Sequence, residues 1–388
     1  MNSPTDRPRI VIAAGEASGD MYAAELMPRL TERMPGLTAF GLGGAQSRAA
    51  GIDTIVDMDQ VSVMGLVEVL RHYGRLKAAM NTLVEALDQQ RPDLVIVIDF
   101  QEFNQRLAKA AKARGIPVLF VVAPQVWAWR AGRAKHFARY ADHLAVLFDF
   151  EAPLFAAHGL PTTHVGHPLL DLIEREAPDR AAARALLSIP AEDTVIGLLP
   201  GSRRSEIGRL LPVFLATAER LRQADPARRF LLARAESIDS DWLREQLDDA
   251  APSSALRDRL TITGGARRVM AASDALLVAS GTATLEAALI GTPQVIAYRS
   301  NALSYQLAKR LVHLEHIGLP NIILGHAAIP ERLQQDATPA RLAPDIETLL
   351  TRRGTQAQKA ELGEIRARLG AGGALDRLAD LAAGMLKR

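Results

Sequence analysis

Short apolar segments, several of which end in glycine-containing loops, constrain the fold of this chain more than any other feature. Four of them lie in the first half, at residues 9–16, 93–100, 116–123 and 143–150. Five lie in the second half, at residues 194–201, 229–235, 260–265, 275–280 and 293–299. They are rich in Val, Ile and Leu and alternate with helical patterns, which is typical of parallel strands covered on both faces. The sequence therefore predicts an α/β protein with two doubly wound sheets that join near residue 170.

The composition limits what such a protein can bind. The 388 residues suffice for two domains of ordinary size, and the net charge of +2 creates no overall field that attracts nucleic acid. The absence of cysteine excludes disulfides, thiolate nucleophiles and cysteine-ligated metals. The N-terminus lacks the apolar region of a signal peptide, and no segment reaches the ~18 apolar residues of a spanning helix. We therefore expect a cytoplasmic protein whose membrane contact is peripheral.

Three loops that follow predicted strands carry glycine and polar residues at the start of a helix. They span residues 15–20, 200–206 and 280–286. Backbone N–H groups at such a junction can bind an anion, and the guanidinium of Arg203 can bind phosphate oxygens. The first loop matches no nucleotide fingerprint, so it is read equally well as a tight turn with Asp20 as an acid in the first helical turn. The other two predict a ligand at the carboxyl edge of the second sheet, against the alternatives of a solvated Arg203 and an ordinary capping turn.

Asp99 ends the apolar segment LVIVID and is the strongest candidate for acid–base chemistry. A carboxylate at the carboxyl end of a buried parallel strand faces the crevice where ligands bind in such sheets. Asp99 could act as a general base there, with Glu102 and Asn104 close by to orient it or a substrate. The alternative is that Asp99 caps the helix that follows.

Metal-binding patterns are weak in this sequence. Two Asp-x-Asp pairs occur, at residues 57–59 and 239–241. The second precedes a helical pattern and fits a helix N-cap with first-turn acids. The nine histidines have no paired spacing, and His164 and His167 fit packing near the domain junction. We predict no metal site.

Two segments are unusually apolar or aromatic. Residues 61–80 carry one helical apolar stripe and leave Val63, Met64 and Val67 on a second face. This pattern fits either a helix wedged in the core or an exposed apolar surface that accepts acyl chains. Trp127 and Trp129 lie beside basic residues, which suits a lipid interface, base stacking or core packing. Because no basic stripe extends beyond this site, nucleic-acid binding is the least supported of these.

Ordered motifs along the chain resemble those of the lipid-A-disaccharide synthase family. They are AGEASGD (14–20), GLGG (41–44), VMGLVEVL (63–70), IDFQEFN (98–104), PQVWAWR (124–130), VGHPLLD (165–171), LLPGSRRSEI (198–207), ASGTATLEAAL (279–289), AYRSNALSYQLAKRLV (297–312), IGLPNII (317–323) and IPERLQQDATP (329–339). The resemblance implies two Rossmann-like domains that face a cleft, the GT-B arrangement. It further implies an acceptor- and lipid-binding domain at 1–170, a UDP-sugar-binding domain at 171–350, and a helical tail at 351–388 that packs on the N-terminal domain.

The resemblance also implies a reaction and its partners. An inverting, metal-independent glycosyltransferase would move the sugar of UDP-2,3-diacylglucosamine to the 6-hydroxyl of 2,3-diacylglucosamine 1-phosphate, forming a β-1,6-linked disaccharide 1-phosphate and UDP for lipid A. No cofactor is implied. The acylated substrates imply docking on the inner face of the cytoplasmic membrane, and a homodimer is left open.

Site residues carry over from the matching motifs. The resemblance implies catalytic roles for Asp99, as general base, and Arg203, near the diphosphate. It implies donor contacts from Gly201, Ser202, Arg203, Ser280, Gly281, Thr282, Glu286, Tyr298, Arg299, Asn321 and Gln334. It implies acceptor contacts from Ser18, Gly19 and Asp20, and acyl or membrane contacts from Val63, Met64, Val67, Trp127 and Trp129. One position departs from the family: Gln101 stands two residues after Asp99, where the family usually has proline, so we expect a looser turn there.

Two rival functions remain at this stage. Another GT-B protein, such as a UDP-sugar epimerase or a peptidoglycan glycosyltransferase, would share the donor loop and the glutamate but leave the apolar segment unexplained. A peripheral membrane-binding module without catalysis would leave the three loops unexplained.

Overall fold

The computed structural model describes residues 7–61, 73–124, 135, 137–300 and 315–387. These residues form two compact units. The first contains the described residues up to Asp171 and those from Ala371 onwards, and the second contains the described residues between Leu172 and Gly370.

Seven parallel strands form the sheet in the described part of the first unit. They are β1 (Arg9–Ala14), β2 (Thr38–Gly43), β3 (Asp53–Asp57), β4 (Leu94–Ile98), β5 (Val118–Val121), β6 (His143–Val146) and β7 (Thr162–His164). The sheet order is β3-β2-β1-β4-β5-β6-β7. β4 is buried along its whole length because helices cover both faces, which is why its sequence shows no polar alternation.

The helices of this unit follow the strands in alternation. They are α1 (Ala17–Arg33), α2 (Ala45–Ala49), α3 (Tyr73–Gln90), α4 (Gln101–Lys112), α5 (Glu151–Ala156) and the start of α6 (Pro168–Glu176), with a 3-10 turn at Met58–Gln60. Leu83 and Leu87 of α3 and Leu107 of α4 pack with Val95 and Phe120 of the sheet. Burying one such side chain stabilises the fold by about 1.5–3 kcal/mol, so this face is a principal source of stability in the unit.

The second unit repeats this plan with six parallel strands among its described residues. They are β8 (Val195–Leu199), β9 (Arg229–Arg234), β10 (Leu260–Gly264), β11 (Ala275–Ala279), β12 (Gln294–Tyr298) and β13 (Glu331–Leu333), in the order β10-β9-β8-β11-β12-β13. Its helices are the end of α6 with α7 (Arg180–Leu186), α8 (Arg204–Ala224), α9 (Ser240–Asp249), α10 (Ser254–Arg257), α11 (Ala266–Ala272), α12 (Thr282–Ile290), α13 (Leu319–Leu324), α14 (Pro339–Leu350) and α15 (Arg352–Leu369), with a 3-10 turn at Gln334–Asp336. Two apolar clusters cover this sheet.

The predicted pair of doubly wound parallel sheets is confirmed, and every predicted strand is present. Four strands are absent from the prediction, namely β2, β3, β7 and β13. Three of these are edge strands, and an edge strand can be short and polar, as in the segments TTH and ERL. β2 is internal, but its two glycines interrupt the apolar pattern.

The C-terminal tail divides between the two units. In α15, Gln358 exchanges hydrogen bonds with the backbone of Gln294, at 2.6 and 3.1 Å, which ties this helix to the second unit. The last helix, α16 (Ala374–Leu386), belongs to the first unit. There Arg33 of α1 donates to Asp380 at 2.6 Å and to Asp376 at 3.0 Å. The helices predicted after Thr351 are thus present, but the first of them packs within the second unit.

No helix in the described ranges combines the length and apolar character needed to cross a bilayer.

His167 is a buried histidine of the first unit. The backbone N–H of Leu169 donates to its Nδ1 at 3.2 Å, and its ring lies 5.6 Å from that of Phe148. Burial lowers the pKa of His167 from 6.5 to about 3. The imidazole therefore stays neutral in the folded protein over the range in which an unfolded chain takes up a proton.

This difference predicts a pH-dependent loss of stability. Burial of the neutral imidazole of His167 contributes to the free energy of unfolding. This contribution is fully present above the unfolded pKa of 6.5 and is lost as the pH falls towards the folded pKa of about 3. When the pH is lowered from about 7.5 to about 5.5, the free energy of unfolding of the wild type should fall by about 1.4 kcal/mol more than that of His167→Asn. The amide oxygen of the asparagine can accept the same hydrogen bond. Urea unfolding at both pH values measures this, and equal losses in the two proteins would contradict it.

Candidate active site

The first candidate site lies where the order of the first sheet reverses. β1 and β4 are neighbours, with Ala14 paired to Ile98, and their connections lead to opposite sides of the sheet. Loops that leave such a pair of strands open a crevice at the carboxyl edge, where ligands bind in sheets of this kind. The loop after Ala14 and the turn that contains Asp99 are therefore adjacent.

The turn after β4 holds Asp99 in an unusual backbone conformation. Asp99 has a φ of +49° and Phe100 a φ of +48°, both in the left-handed region that non-glycine residues rarely adopt. The side-chain amide of Asn104 holds this turn by donating to the carbonyls of Asp99 at 2.7 Å, Ile98 at 3.1 Å and Ala13 at 3.2 Å. Strained residues persist where the surroundings fix them, and they cluster at functional sites.

Gly15 gives the ring of Phe100 its place. A Cβ at Gly15 would lie 2.2 Å from the Phe100 ring, so only glycine allows this contact. Gln101 begins α4 and donates from Nε2 to the carbonyl of Val122 at 3.2 Å and, more weakly, to Oδ1 of Asp99 at 3.4 Å. The turn that was expected to be loose is therefore held by Phe100, Gln101 and Asn104.

A cavity of about 420 Å³ lies against this turn. Its lining residues come from α3, from the turn with the start of α4, and from the loop after β1: they are Glu16, Tyr73, Leu76, Lys77, Met80, Asp99, Phe100, Gln101, Glu102, Phe103 and Arg106. Asp99 is half-buried in this wall. A partly buried carboxylate beside a largely apolar cavity can accept a proton from a bound hydroxyl.

Asp20 stabilises the loop between β2 and α2. Its buried carboxylate accepts hydrogen bonds from the backbone N–H of Gly44 at 2.7 Å and of Gln46 and Ser47 at 3.1 Å, and from the Ser47 hydroxyl. It thereby caps α2 from the first turn of α1. The structure places Ser18 half-buried and Gly19 fully buried beside it, where a Cβ on Gly19 would lie 3.5 Å from the carbonyl of Ile98.

The second candidate site lies at the corresponding reversal in the second sheet. β8 and β11 are neighbours, with Leu199 paired to Val278, so the loops that follow them are adjacent. In the first of these loops Gly201 has a φ of +123°, and a Cβ there would lie 2.6 Å from Oε2 of Glu206. Glu206 binds the N–H of Ser202 at 3.3 Å and the guanidinium of Arg203 at 3.1 Å. Arg203 is thus ion-paired with Glu206 while its side chain stays partly exposed to solvent.

The second loop ends at the start of α12. Gly281 is the N-cap residue in an extended conformation and, being glycine, has no side chain to cap this end, and the first turn holds no acidic residue. The hydroxyl of Thr284 turns back to the carbonyl of Gly281 at 2.7 Å, and that of Ser280 donates to Ile317 at 3.2 Å. The N–H groups and the positive end of the helix dipole at Gly281 and Thr282 suit an anion.

Glu286 lies one turn along the same helix. Arg267 donates to its carboxylate at 2.9 Å and also pairs with Glu176. Burial raises the pKa of the Glu286 carboxyl, Arg267 opposes that rise, and Glu176 adds to it. Glu286 is therefore a carboxylate whose position is fixed by a cation.

The remaining predicted donor residues differ in what they can offer. Asn321 is fully buried, and its amide already bonds Ile329, Glu331 and the N–H of Ala328, which leaves no hydrogen-bonding position for a ligand. Gln334 has a φ of +50° and contacts Ser300. Arg299 donates to Ala337 at 2.8 Å, and Tyr298 is half-buried at the end of β12.

Five predicted residues lie outside the described ranges, namely Val63, Met64, Val67, Trp127 and Trp129. Within those ranges no group of three or more acidic, histidine or cysteine side chains could hold a metal ion. Asp239 accepts from the N–H groups of Asp241 and Trp242, which confirms it as a helix N-cap.

Comparison with known proteins identifies the family. The sequence model of the lipid-A-disaccharide synthetase family matches residues 10–372. This chain belongs to that family. The lipid-A-disaccharide synthase of Trichlorobacter lovleyi is 42% identical over 98% of both chains, and that of Nitrosococcus oceani is 42% identical over 98% of this chain and 97% of its own.

Solved structures show the same fold at low identity. The UDP-GlcNAc 2-epimerase of Neisseria meningitidis, bound to UDP-GlcNAc, superposes with a TM-score of 0.63 at 14% identity, covering 97% of this chain and 99% of its own. MurG of Acinetobacter baumannii superposes with a TM-score of 0.55 at 17% identity, covering 97% and 99%. These similarities confirm the GT-B class of fold. Membership of the lipid-A-disaccharide synthetase family makes the chain a glycosyltransferase and removes the epimerase and membrane-module alternatives.

Several residues of both sites escape sequence reasoning. Phe100 and Arg106 line the cavity, and Glu206 and Arg267 bind two of the predicted donor residues. The only sequence signal is their place inside family motifs or on helices that follow those motifs. Arg267 lies 19 residues from Glu286, so spacing could not reveal that pair. Arg203 and Glu206 are only three residues apart, a spacing that brings side chains together on a helix, but the sequence analysis did not use it.

We predict that Gly15→Ala lowers turnover through the Asp99 turn. The new methyl group displaces the Phe100 ring, and a shift of this size at a catalytic group costs about 10–100-fold in rate. Gly363→Ala in α15 is the control, because a Cβ there meets no atom within 4 Å and improves helix propensity by up to about 1 kcal/mol. Steady-state kinetics of both variants measure the effect. Unchanged turnover in Gly15→Ala would show that the ring does not position Asp99.

Proposed function

We propose that this member of the lipid-A-disaccharide synthase family catalyses its transfer with Asp99 as general base and the loops after β8 and β11 as the binding site for UDP. The observation that carries the proposal is the place of these groups at the reversal of strand order in each sheet. Sugar-nucleotide donor and phosphorylated diacylglucosamine acceptor are the substrates of the family, and the named residues supply the chemistry that each requires.

In the proposed step the 6-hydroxyl oxygen of the acceptor attacks the anomeric carbon of the donor. Asp99 takes the hydroxyl proton as the new C–O bond forms. The bond between the anomeric carbon and the β-phosphate oxygen breaks, and its electron pair stays on UDP. Attack from the side opposite the leaving group inverts the anomeric configuration. A positioned base of this kind contributes about 10²–10⁴-fold to the rate.

The departing diphosphate requires positive charge, which two features of the second unit can provide. The N–H groups at Gly281 and Thr282 supply helix-terminal donors, and Arg203 supplies a guanidinium. Glu206 holds Arg203 in place before the donor binds. Such preorganised donors act where charge develops in the transition state.

Contacts to the rest of the donor follow from the same helix and its neighbours. We assign Glu286 to a ribose hydroxyl, because its carboxylate is fixed by Arg267 and lies one turn beyond the anion site. Tyr298 and Arg299 follow the adjacent strand β12. Asn321, Gln334 and Asp20 act as positioning residues, since their polar atoms already bond to their own unit.

Replacement of the base tests this assignment directly. We expect Asp99→Asn to lower turnover about 10²–10⁴-fold while UDP binding stays near normal, because the amide cannot take the proton. Asp59→Asn, an exposed aspartate of the same unit, is the control and should retain full activity. Disaccharide formation and calorimetric titration with UDP are the two measurements. Wild-type turnover in Asp99→Asn would assign the base to another residue.

Peripheral docking on the inner face of the cytoplasmic membrane completes the proposal. Both substrates are acylated, and the apolar residues Val63, Met64 and Val67 together with Trp127 and Trp129 have the composition of a lipid interface.

Vesicle binding tests this part. Changing Val63, Met64 and Val67 together to Ser should weaken sedimentation with anionic vesicles, because each replacement removes apolar surface from the bilayer contact. Leu186→Ser is the control, since this exposed leucine lies in the second unit. Unchanged sedimentation combined with a lower melting temperature would show that the three residues belong to the core.

A further inference from the structure

The cavity beside Asp99 combines two kinds of surface that a simple core void does not. Leu76, Met80 and Phe103 give it an apolar wall. Lys77 on α3 and Arg106 on α4 add two cations from different helices. Its volume of about 420 Å³ lies within the range of about 300–1,000 Å³ that small-molecule sites occupy.

Among the described residues, neither cation forms an ion pair that would stabilise the fold. Lys77 and Arg106 are both exposed, and in the described part of the chain neither lies within ion-pair distance of a carboxylate. Arg114, just beyond the end of α4, is by contrast paired with Asp88 at 2.7 Å. Glu16 and Glu102 also line the cavity, so it is not a general anion trap. The attraction of a doubly charged anion to both cations at once can outweigh its repulsion by these carboxylates.

The place of Asp99 decides which substrate this cavity receives. A general base must lie within hydrogen-bond reach of the hydroxyl that it deprotonates, and in the proposed function that hydroxyl belongs to the acceptor. Because Asp99 lines the cavity, the acceptor is the substrate that enters it. The acceptor joins a phosphate monoester to acyl chains, which are the chemical groups that the two kinds of surface match.

We infer that Lys77 and Arg106 bind the phosphate monoester of the acceptor, while Leu76, Met80 and Phe103 receive one of its acyl chains. This inference rests on the proposed function for the identity of the acceptor. It adds a phosphate subsite and a residue set that determines the accepted chain length. No bond is made or broken at this subsite, so its effect falls on acceptor binding.

The phosphate subsite is tested by Lys77→Gln and Arg106→Gln. Each should raise the KM for diacylglucosamine 1-phosphate about fivefold to tenfold, with kcat and the KM for the UDP-sugar unchanged, because the lost contact is charge-assisted but exposed to solvent. Lys109→Gln is the control, since it removes the same charge from an exposed position of α4 that does not line the cavity. Against dephosphorylated diacylglucosamine, wild type and variants should have the same KM.

Direct binding separates this inference from the proposed function. Calorimetry in mixed micelles measures acceptor affinity in Asp99→Asn protein, with and without Arg106→Gln, so the result does not depend on turnover. Weaker binding only with Arg106→Gln, and only for the phosphorylated acceptor, supports the subsite even if Asp99 is not the base. Equal affinities, or the same loss for both acceptors, would overturn it.

The acyl wall is tested by Met80→Phe, which narrows the cavity without adding polarity. The ratio of KM values for long-chain and short-chain acceptors should rise by roughly fourfold for each methylene excluded, because a buried methylene contributes about 0.8 kcal/mol. A melting temperature equal to that of the wild type shows that the fold tolerates the change. If this stable variant keeps the wild-type ratio, the chain lies elsewhere; if it melts early, Leu76→Phe takes its place under the same criterion.

Discussion

The pairing of β1 with β4 and of β8 with β11 is the constraint on which both sites depend. Parallel strands must be joined by crossover connections, and at these two pairs the connections leave on opposite sides of the sheet. The backbone between them is therefore exposed at the carboxyl edge while the strands remain buried. Everything assigned to catalysis, from the Asp99 turn to the start of α12, is attached to one of these four strand ends.

The two sites use this edge differently. In the first unit the backbone itself is strained: Asp99 and Phe100 are left-handed and are held by Asn104 and by the contact with Gly15. In the second unit the side chains are instead fixed by ion pairs: Glu206 binds Arg203, and Arg267 binds Glu286. General-base catalysis requires one carboxylate within hydrogen-bond reach of one proton. Binding a diphosphate requires several hydrogen-bond donors that are already in position before it binds. Under the proposed function, the difference between the two edges matches this difference in task.

Much of this could be predicted, and the failures have physical causes. Apolar segments revealed β1 and β4 because buried strands cannot carry polar residues, whereas edge strands such as β13 can and were missed. Gly201 and Gly281 marked the two loops that are proposed to bind the donor. The sequence could not show that the amide of Asn321 has all its hydrogen bonds within the protein, because its partners Ile329 and Glu331 become neighbours only through the path of the loop. The replacement of proline by Gln101 suggested a loose turn, yet the side chain of Gln101 bonds back to Val122.

By itself, the sequence determined the class of fold, the family and the strand ends to which the proposed chemistry is assigned, since these follow from periodicity and from motifs that are contiguous in the chain. Only the tertiary structure decided how the residues of each site are held and what lines the cavity beside Asp99. Lys77 and Arg106 lie on separate helices, and nothing in their spacing relates them until α3 and α4 pack on the same face of the sheet. Contacts between distant segments depend on packing and backbone geometry, which local sequence patterns do not encode.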